Sequence, residues 1–423
     1  MRRTLAAGLA TAALTAVLAA AIGTASLASP PAGRQTPVSA PGAASAAAPA
    51  PAPASPQVGP IASNLVPLPP QPAGVAWPTR EWPRGELSAD ALAAIEAEVA
   101  RVSALSDGPV GETRSVLVVQ GGRLVYEHYG AGFDAFDRQV SWSMAKSVTA
   151  ALAGIAVGDG TLTLDSPVAP PAWREGDPRR SITLRQALHM ADGLAWNEID
   201  YGDVLQNDAA KMLFGEGREN IVAYVARKRA RHEPGKVWNY SSGTTNLISA
   251  AISRALGPRT LSDPTGRERY LNFITDRLLR PIGMTRTSPE FDGAGNLYAS
   301  SLIYATAQDW ARFGYLHLRD GMWDGQRILP QGWVDFVRTP ATAEGALEYG
   351  GHWWLSPANK EGTLVDGPYD TFEARGYQGQ RILVIPSKDA VIVRLGLMRD
   401  EGAGSAELSR SLQTIVNALP DPS

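Results

Sequence analysis

Residues 141–160 read Ser-Trp-Ser-Met-Ala-Lys-Ser-Val-Thr-Ala-Ala-Leu-Ala-Gly-Ile-Ala-Val-Gly-Asp-Gly. Within them Ser143-Met144-Ala145-Lys146 is a Ser-x-x-Lys tetrad at the head of an apolar, alanine-rich run. The run predicts a buried helix that opens at the tetrad and stops at Gly158-Asp159-Gly160. Residues three apart on a helix sit one above the other, so the Ser143 hydroxyl and the Lys146 amine meet in one pocket. The first turn also leaves backbone N–H groups without helical acceptors, at the end of the helix that favours negative charge. A serine hydroxyl is a weak nucleophile until a base takes its proton. Free lysine, with a pKa of about 10.4, serves as that base near neutral pH only when it is desolvated or set beside other cations. An arbitrary Ser-x-x-Lys is a capping serine with a solvated lysine. This one opens a helix with no polar face, and burying a lysine needs a reason. Ser143 is therefore the candidate nucleophile and Lys146 its base.

Strand signals lie to either side of this helix. Ser115–Gln120 and Arg123–His128 flank Gly121-Gly122, which predicts a tight hairpin. Before it, Ser88 is a candidate N-cap for a helix over 89–105, with Leu92, Ile95, Val99 and Val102 at helical spacing. Near the far end, Arg381–Ile385 and Val391–Leu397 flank Pro386-Ser387-Lys388-Asp389-Ala390, and a last helix is expected over 407–419. Strands thus cluster at both ends and helices fill the middle. The expected fold class is α+β: one antiparallel sheet built from both chain ends, flanked by the terminal helices, with a helical subdomain beside it and a cleft between the two.

Composition narrows the function. The chain has 423 residues, 44% of them hydrophobic, and a formal net charge of −3, so nothing points to nucleic acid. It has no cysteine, and none of its five histidines forms a His-x-x-x-His pair, which argues against a zinc hydrolase. Residues 1–28 read as an export signal: Arg2 and Arg3, then an apolar run from Thr4 to Gly23, then Ser26-Leu27-Ala28 as a cleavage site. A membrane anchor is the competing reading, because the run is about as long as a spanning helix needs. Its Ala and Gly content favours cleavage, hence a periplasmic or extracellular protein without stable membrane insertion. Residues 29–76, rich in Pro, Ala and Ser, are expected to be a disordered tether. Residues 77–423 form the folded domain.

Several further segments make the sequence resemble the serine β-lactamase and penicillin-binding protein superfamily, on the class C β-lactamase-like branch that holds esterases and aminohexanoate-oligomer hydrolases. They are Ser143–Ser147 with Gly158-Asp159-Gly160-Thr161-Leu162-Thr163-Leu164-Asp165-Ser166-Pro167-Val168, the stretch Ser181–Leu194, the stretch Glu233–Gly243 and the run Tyr304–Gly314. The resemblance spans about residues 110–400. It implies the transpeptidase-like fold and acyl transfer to water, with no metal or cofactor. A small-molecule amide or ester is the expected substrate. The alternatives are a β-lactamase or D,D-peptidase acting on penicillin or peptidoglycan peptides, and a non-catalytic cell-wall-binding protein that keeps the fold.

The resemblance also assigns residues. The family tyrosine falls on Tyr240, where a phenol can bond both serine and lysine and relay a proton. The asparagine two residues on is replaced by Ser242, a candidate substrate contact. The Lys-Thr-Gly motif is expected on a strand, with Tyr377-Gln378-Gly379 standing in for it; a tyrosine thus takes the place of the lysine that faces a substrate carboxylate. Arg375 or Arg381 could compensate, or could simply be solvated. The oxyanion hole is implied at the backbone N–H groups of Ser143 and Gln380, with Gly379 kept small so as not to crowd the substrate. Tyr201 is a candidate amide-binding residue, or a loop tyrosine capping the core. Trp142 either walls the pocket or packs beneath it, and His232 and His352 are minor candidates for a base.

Overall fold

The computed structural model describes residues 62, 64–198, 206–346, 348–356 and 368–422. The main sheet holds β1 (Glu112–Gln120), β2 (Arg123–Tyr129), β3 (Trp354–Leu355), β4 (Phe372–Gly376), β5 (Gln380–Ile385) and β6 (Ala390–Leu397), in the order β2-β1-β6-β5-β4-β3. Every neighbouring pair is antiparallel. The hairpin closes at Gln120 and Arg123, and Gly121 and Gly122 have φ of 55° and 73°. Two successive left-handed residues are what a primed two-residue turn requires.

Both faces of the sheet are covered, which explains why its central strands β1, β5 and β6 carry unbroken apolar runs instead of alternating. Val116, Val118, Leu383, Ile385 and Ile392 pack against Ile95 and Val99 of α1 (Ala89–Ser103). Leu408, Leu412 and Ile415 of α5 (Glu401–Ala418) complete that layer. Leu117, Val119, Ile382, Val384, Val391 and Val393 face the other way. There they join a larger core with α2 (Met144–Gly158), α3 (Ser242–Ala255) and α4 (Ala307–Leu318). The antiparallel sheet from both chain ends, flanked by helices and joined to a helical middle, is the expected architecture.

Three boundaries differ from expectation. The last helix starts at Glu401, ahead of the expected 407, because Asp400 caps it by accepting from Gly402 and Ala403 N–H. Gly402 and Gly404 disguise that start, glycine being a weak helix former. The folded part also begins before Trp77. The Val66 and Pro69 carbonyls accept from Arg338 Nη1 (2.7 Å) and Arg319 Nη1 (3.1 Å), and Leu68 packs on the core. The expected tether boundary at 76 thus runs too far; a few apolar and polar anchors hold 64–76 on the domain. Third, Tyr377–Gly379 is not strand but a single tight turn between β4 and β5. The expected export signal and nearly all of the rest of the tether lie outside the described residues. Among the described residues no helix is long and apolar enough to cross a membrane.

Candidate active site

The approach to Ser143 is fixed by a small sheet. Residues 139–140 pair with 304–305, and the Ser141 N–H donates to the Ile303 carbonyl at 2.8 Å. Trp142 then turns the chain with φ 44°, a left-handed conformation that a bulky residue adopts only when its surroundings hold it there. Its indole is buried and donates from Nε1 to the Gln378 side-chain oxygen at 3.2 Å. After this turn Ser143 sits at the N-cap of α2 and Lys146 lies inside its first turn, buried to 1% exposure.

Lys146 Nζ has three oxygen neighbours: Ser143 Oγ at 2.9 Å, Ser242 Oγ at 2.9 Å and the Ser300 carbonyl at 3.3 Å. It also stands 4.7 Å from the centre of the Tyr240 ring. An ammonium places all three protons on these oxygens. A free amine has a lone pair, so the Ser143 contact reverses and the hydroxyl donates. Burial pushes the lysine pKa down to about 8, against a smaller opposing pull from the Glu198 carboxylate. A base titrating there takes the serine proton far more readily than a solvated lysine would.

Tyr240 is buried just before α3, among Trp238, Tyr349 and Trp354. Ser241 caps α3 by accepting from the Thr244 N–H, which sets Ser242 on the first turn, facing α2. The structure thus gathers Ser143, Lys146, Tyr240 and Ser242 in one place. Tyr377 joins the rim, its ring 5.6 Å from Trp142 and nearly perpendicular to it. Phe214 also meets the indole edge-on, 6.4 Å away. Tyr201 lies outside the described residues.

Several expectations are altered by the structure. Ser242 does not offer its hydroxyl to a substrate: it is buried, and its proton goes to Glu198 Oε1 at 2.6 Å. Gly379 is small for a different reason. It has φ 78°, and a side chain there would meet Arg394 Nη1 at 2.6 Å, behind the site rather than in it. Gln380 lies inside the β4–β5 ladder opposite Gly376, with its side chain bound to the Gly396 carbonyl at 2.6 Å. The strand end that meets the nucleophile's turn is Gly376, where a Cβ would stand 2.2 Å from the Ser141 carbonyl oxygen. The strand ends at this point with Ala374-Arg375-Gly376, and Tyr377-Gln378-Gly379 is the turn that follows it. Last, neither Arg375 nor Arg381 is an uncommitted cation. They are cross-strand partners, and both face the buried Glu373 carboxylate, Arg375 in direct contact and Arg381 at 3.8 Å. His352 is a strut, bonded to the Leu188 carbonyl and Thr245 Oγ1, with its pKa pushed down to about 3 by burial.

The residue that sequence reading missed is Glu198. Its carboxylate is buried and accepts from the Ser242 N–H (2.6 Å), Ser242 Oγ (2.6 Å) and Trp196 Nε1 (2.7 Å). It lies in the segment that had drawn attention for Tyr201, but a single glutamate in a loop carries no spacing signal.

A family model described as Beta-lactamase matches residues 101–398. The chain belongs to the beta-lactamase family. This family member is 25% identical over 307 residues to a 6-aminohexanoate-dimer hydrolase of Paenarthrobacter ureafaciens, a match covering 68% of this chain and 73% of the relative. Its fold is similar to that of a class C beta-lactamase (TM-score 0.58, 16% identity, 79% of this chain and 97% of that one). It is also similar to a penicillin-binding protein homolog from Caulobacter crescentus (TM-score 0.56, 15% identity, 78% and 98%).

Proposed function

We propose that this family member is a serine hydrolase that forms an acyl-enzyme on Ser143 and hydrolyses an amide or ester of a small molecule. The observation that carries the reading is the buried Lys146 amine 2.9 Å from Ser143 Oγ. In this reading Ser143 Oγ attacks the carbonyl carbon and its proton passes to Lys146. The oxyanion is held by the Ser143 N–H at the head of α2 and by backbone at the Gly376–Tyr377 strand end. The C–N or C–O bond then breaks, and Lys146 returns the proton to the leaving group with the Tyr240 phenol as relay. Water repeats the sequence on the acyl-enzyme and frees Ser143.

The substrate class rests on charge. With Ala374 on the strand that ends at the nucleophile's turn, and with Arg375 and Arg381 sharing Glu373, little positive charge awaits a carboxylate. Tyr377 and Phe214, packed edge-on against the buried Trp142, offer apolar surface instead. A small neutral ester or linear amide fits these walls; the substrate named for the Paenarthrobacter relative is likewise a linear amide, although its terminal carboxylate would find no cation at Ala374. Action after export, with the chain cleaved near Ser29, completes the proposal and is checked by N-terminal sequencing of secreted protein.

The test is a panel of p-nitrophenyl esters, aminohexanoate dimer and nitrocefin. Neutral esters should be turned over with higher kcat/KM than nitrocefin, the dimer showing whether a linear amide with a carboxylate is also accepted, and Ser143→Ala should lose all activity. A preference for nitrocefin would favour the β-lactamase alternative, and full activity in Ser143→Ala would end the serine reading.

A further inference from the structure

The polar chain behind the nucleophile does not stop at the lysine. It runs Ser143 Oγ, Lys146 Nζ, Ser242 Oγ, Glu198 Oε1, in steps of 2.9, 2.9 and 2.6 Å. The direction of its last step is fixed. A lysine nitrogen in this position donates to Ser242 Oγ, and a carboxylate only accepts, so the Ser242 proton lies toward Glu198. Glu198 Oε1 is also 4.0 Å from Lys146 Nζ, with both side chains almost fully buried. Its other oxygen accepts from the Ser242 N–H and Trp196 Nε1, which holds the carboxylate still.

We infer that Glu198, acting through Ser242, is the positioning residue of the lysine base, and that this carboxylate neutralises the ammonium formed when Lys146 takes the Ser143 proton. The inference rests on the serine-hydrolase reading above and adds a third group that orients the base, as nucleophile–base pairs commonly have. Three features support it beyond the distances. A buried carboxylate is costly unless paired and hydrogen-bonded, and Glu198 spends its acceptors on the lysine's bridging serine and that serine's own N–H. Among the described residues Glu198 is the one carboxylate that pulls on Lys146, and the other titratable groups beside it are Tyr240 and His352. His352 is neutral across the working pH range, since its pKa lies near 3. Finally, Ser242 is buried to 1% exposure, and its hydroxyl bonds Lys146 Nζ on one side and Glu198 Oε1 on the other, as a bridge must.

A positioning role predicts a signature that a merely structural glutamate would not give. Removing the negative charge makes the ammonium harder to form, so the lysine titrates lower. In Glu198→Gln the ascending limb of the kcat/KM–pH profile should move down by about one unit, the shift expected from losing an opposite charge some 4 Å away. At its plateau kcat/KM should fall about ten- to a hundredfold, with KM little changed. Glu198→Asp, which keeps the charge, should leave the limb within a few tenths of the wild-type position. A limb unmoved in Glu198→Gln would overturn the inference. If that variant does not fold, Ser242→Ala decides: it removes only the bridge, and unaltered kcat with an unaltered limb would be equally fatal. The lysine can also be titrated without turnover, from the pH dependence of acetic anhydride labelling at the Lys146 peptide. A lowered midpoint in Glu198→Gln supports the link between Glu198 and Lys146 even for a protein that hydrolyses nothing tested. An unchanged midpoint refutes that link whatever the activity.

Discussion

Replacing Lys146 by methionine should change how stability depends on pH. In the folded protein burial pushes the Lys146 pKa from its ordinary value of 10.5 to about 8. In the unfolded chain the lysine is solvated and titrates at the ordinary value. A depressed lysine pKa means that the folded state binds the proton less tightly than the unfolded state. The penalty is therefore fully present below pH 8 and fades as pH rises from 8 to 10.5. Two and a half units correspond to about 3 kcal/mol, at 1.36 kcal/mol per unit. Wild-type stability should accordingly gain about 3 kcal/mol between pH 7 and pH 10.5 from this one group, whereas Lys146→Met lacks that gain. Unfolding in urea at both pH values measures it, as the difference between the two proteins in their pH-induced change. The comparison cancels the hydrogen bonds that methionine forfeits, because they are lost at both pH values. Parallel stability–pH curves for the two proteins would show that Lys146 is not the desolvated amine described here.

Three shorter predictions follow from neighbouring contacts. The kcat/KM of the wild type should rise with pH through an apparent pKa near 8, and Lys146→Arg should be nearly as inactive as Lys146→Ala, since arginine keeps its proton throughout this range; steady-state rates from pH 6 to 10 check both. In Gly376→Ala the new Cβ would lie 2.2 Å from the Ser141 carbonyl oxygen, so the strand end must move away from the nucleophile. A loss of about 1–3 kcal/mol in stability is expected, together with a fall in kcat of at least about tenfold, a 1 Å misplacement being able to cost a hundredfold; circular-dichroism melts and kinetics read these. Arg394→Met removes a buried guanidinium whose donors hold the Gln378, Gly379 and Glu112 carbonyls, and should lower stability by about 2–4 kcal/mol in urea titration.

The contrast between what could and could not be read from the sequence has physical causes. The Ser-x-x-Lys helix and the first hairpin were legible because each is local: one rests on a spacing of three, the other on two glycines between apolar runs. Glu198 was not legible, because its significance comes from Ser242, 44 positions away, and no periodicity links a loop carboxylate to a helix start. The strand expected at Tyr377-Gln378-Gly379 is a turn. Tyr377-Gln378-Gly379 ends in a glycine, as the motif does, but Gln378 and Gly379 are both left-handed, with φ of 61° and 78°, and turn the chain instead of extending it. The glycine that closes on the nucleophile is Gly376, and its need to be small depends on Ser141, which only the folded chain brings near. The segment 64–76 looked like tether because its composition is poor in bulky residues, yet Leu68 and two backbone carbonyls are enough to seat it.

The account's central claim is that Ser143 is the nucleophile of an acyl-transfer enzyme. It is tested most directly by intact-mass and peptide mass spectrometry after reaction with a fluorophosphonate, and after rapid quenching during turnover of a p-nitrophenyl ester. One adduct per chain is predicted, on the peptide that carries Ser143, and none in Ser143→Ala. An adduct on a different residue, or ester turnover by Ser143→Ala at even a tenth of the wild-type rate, would contradict it.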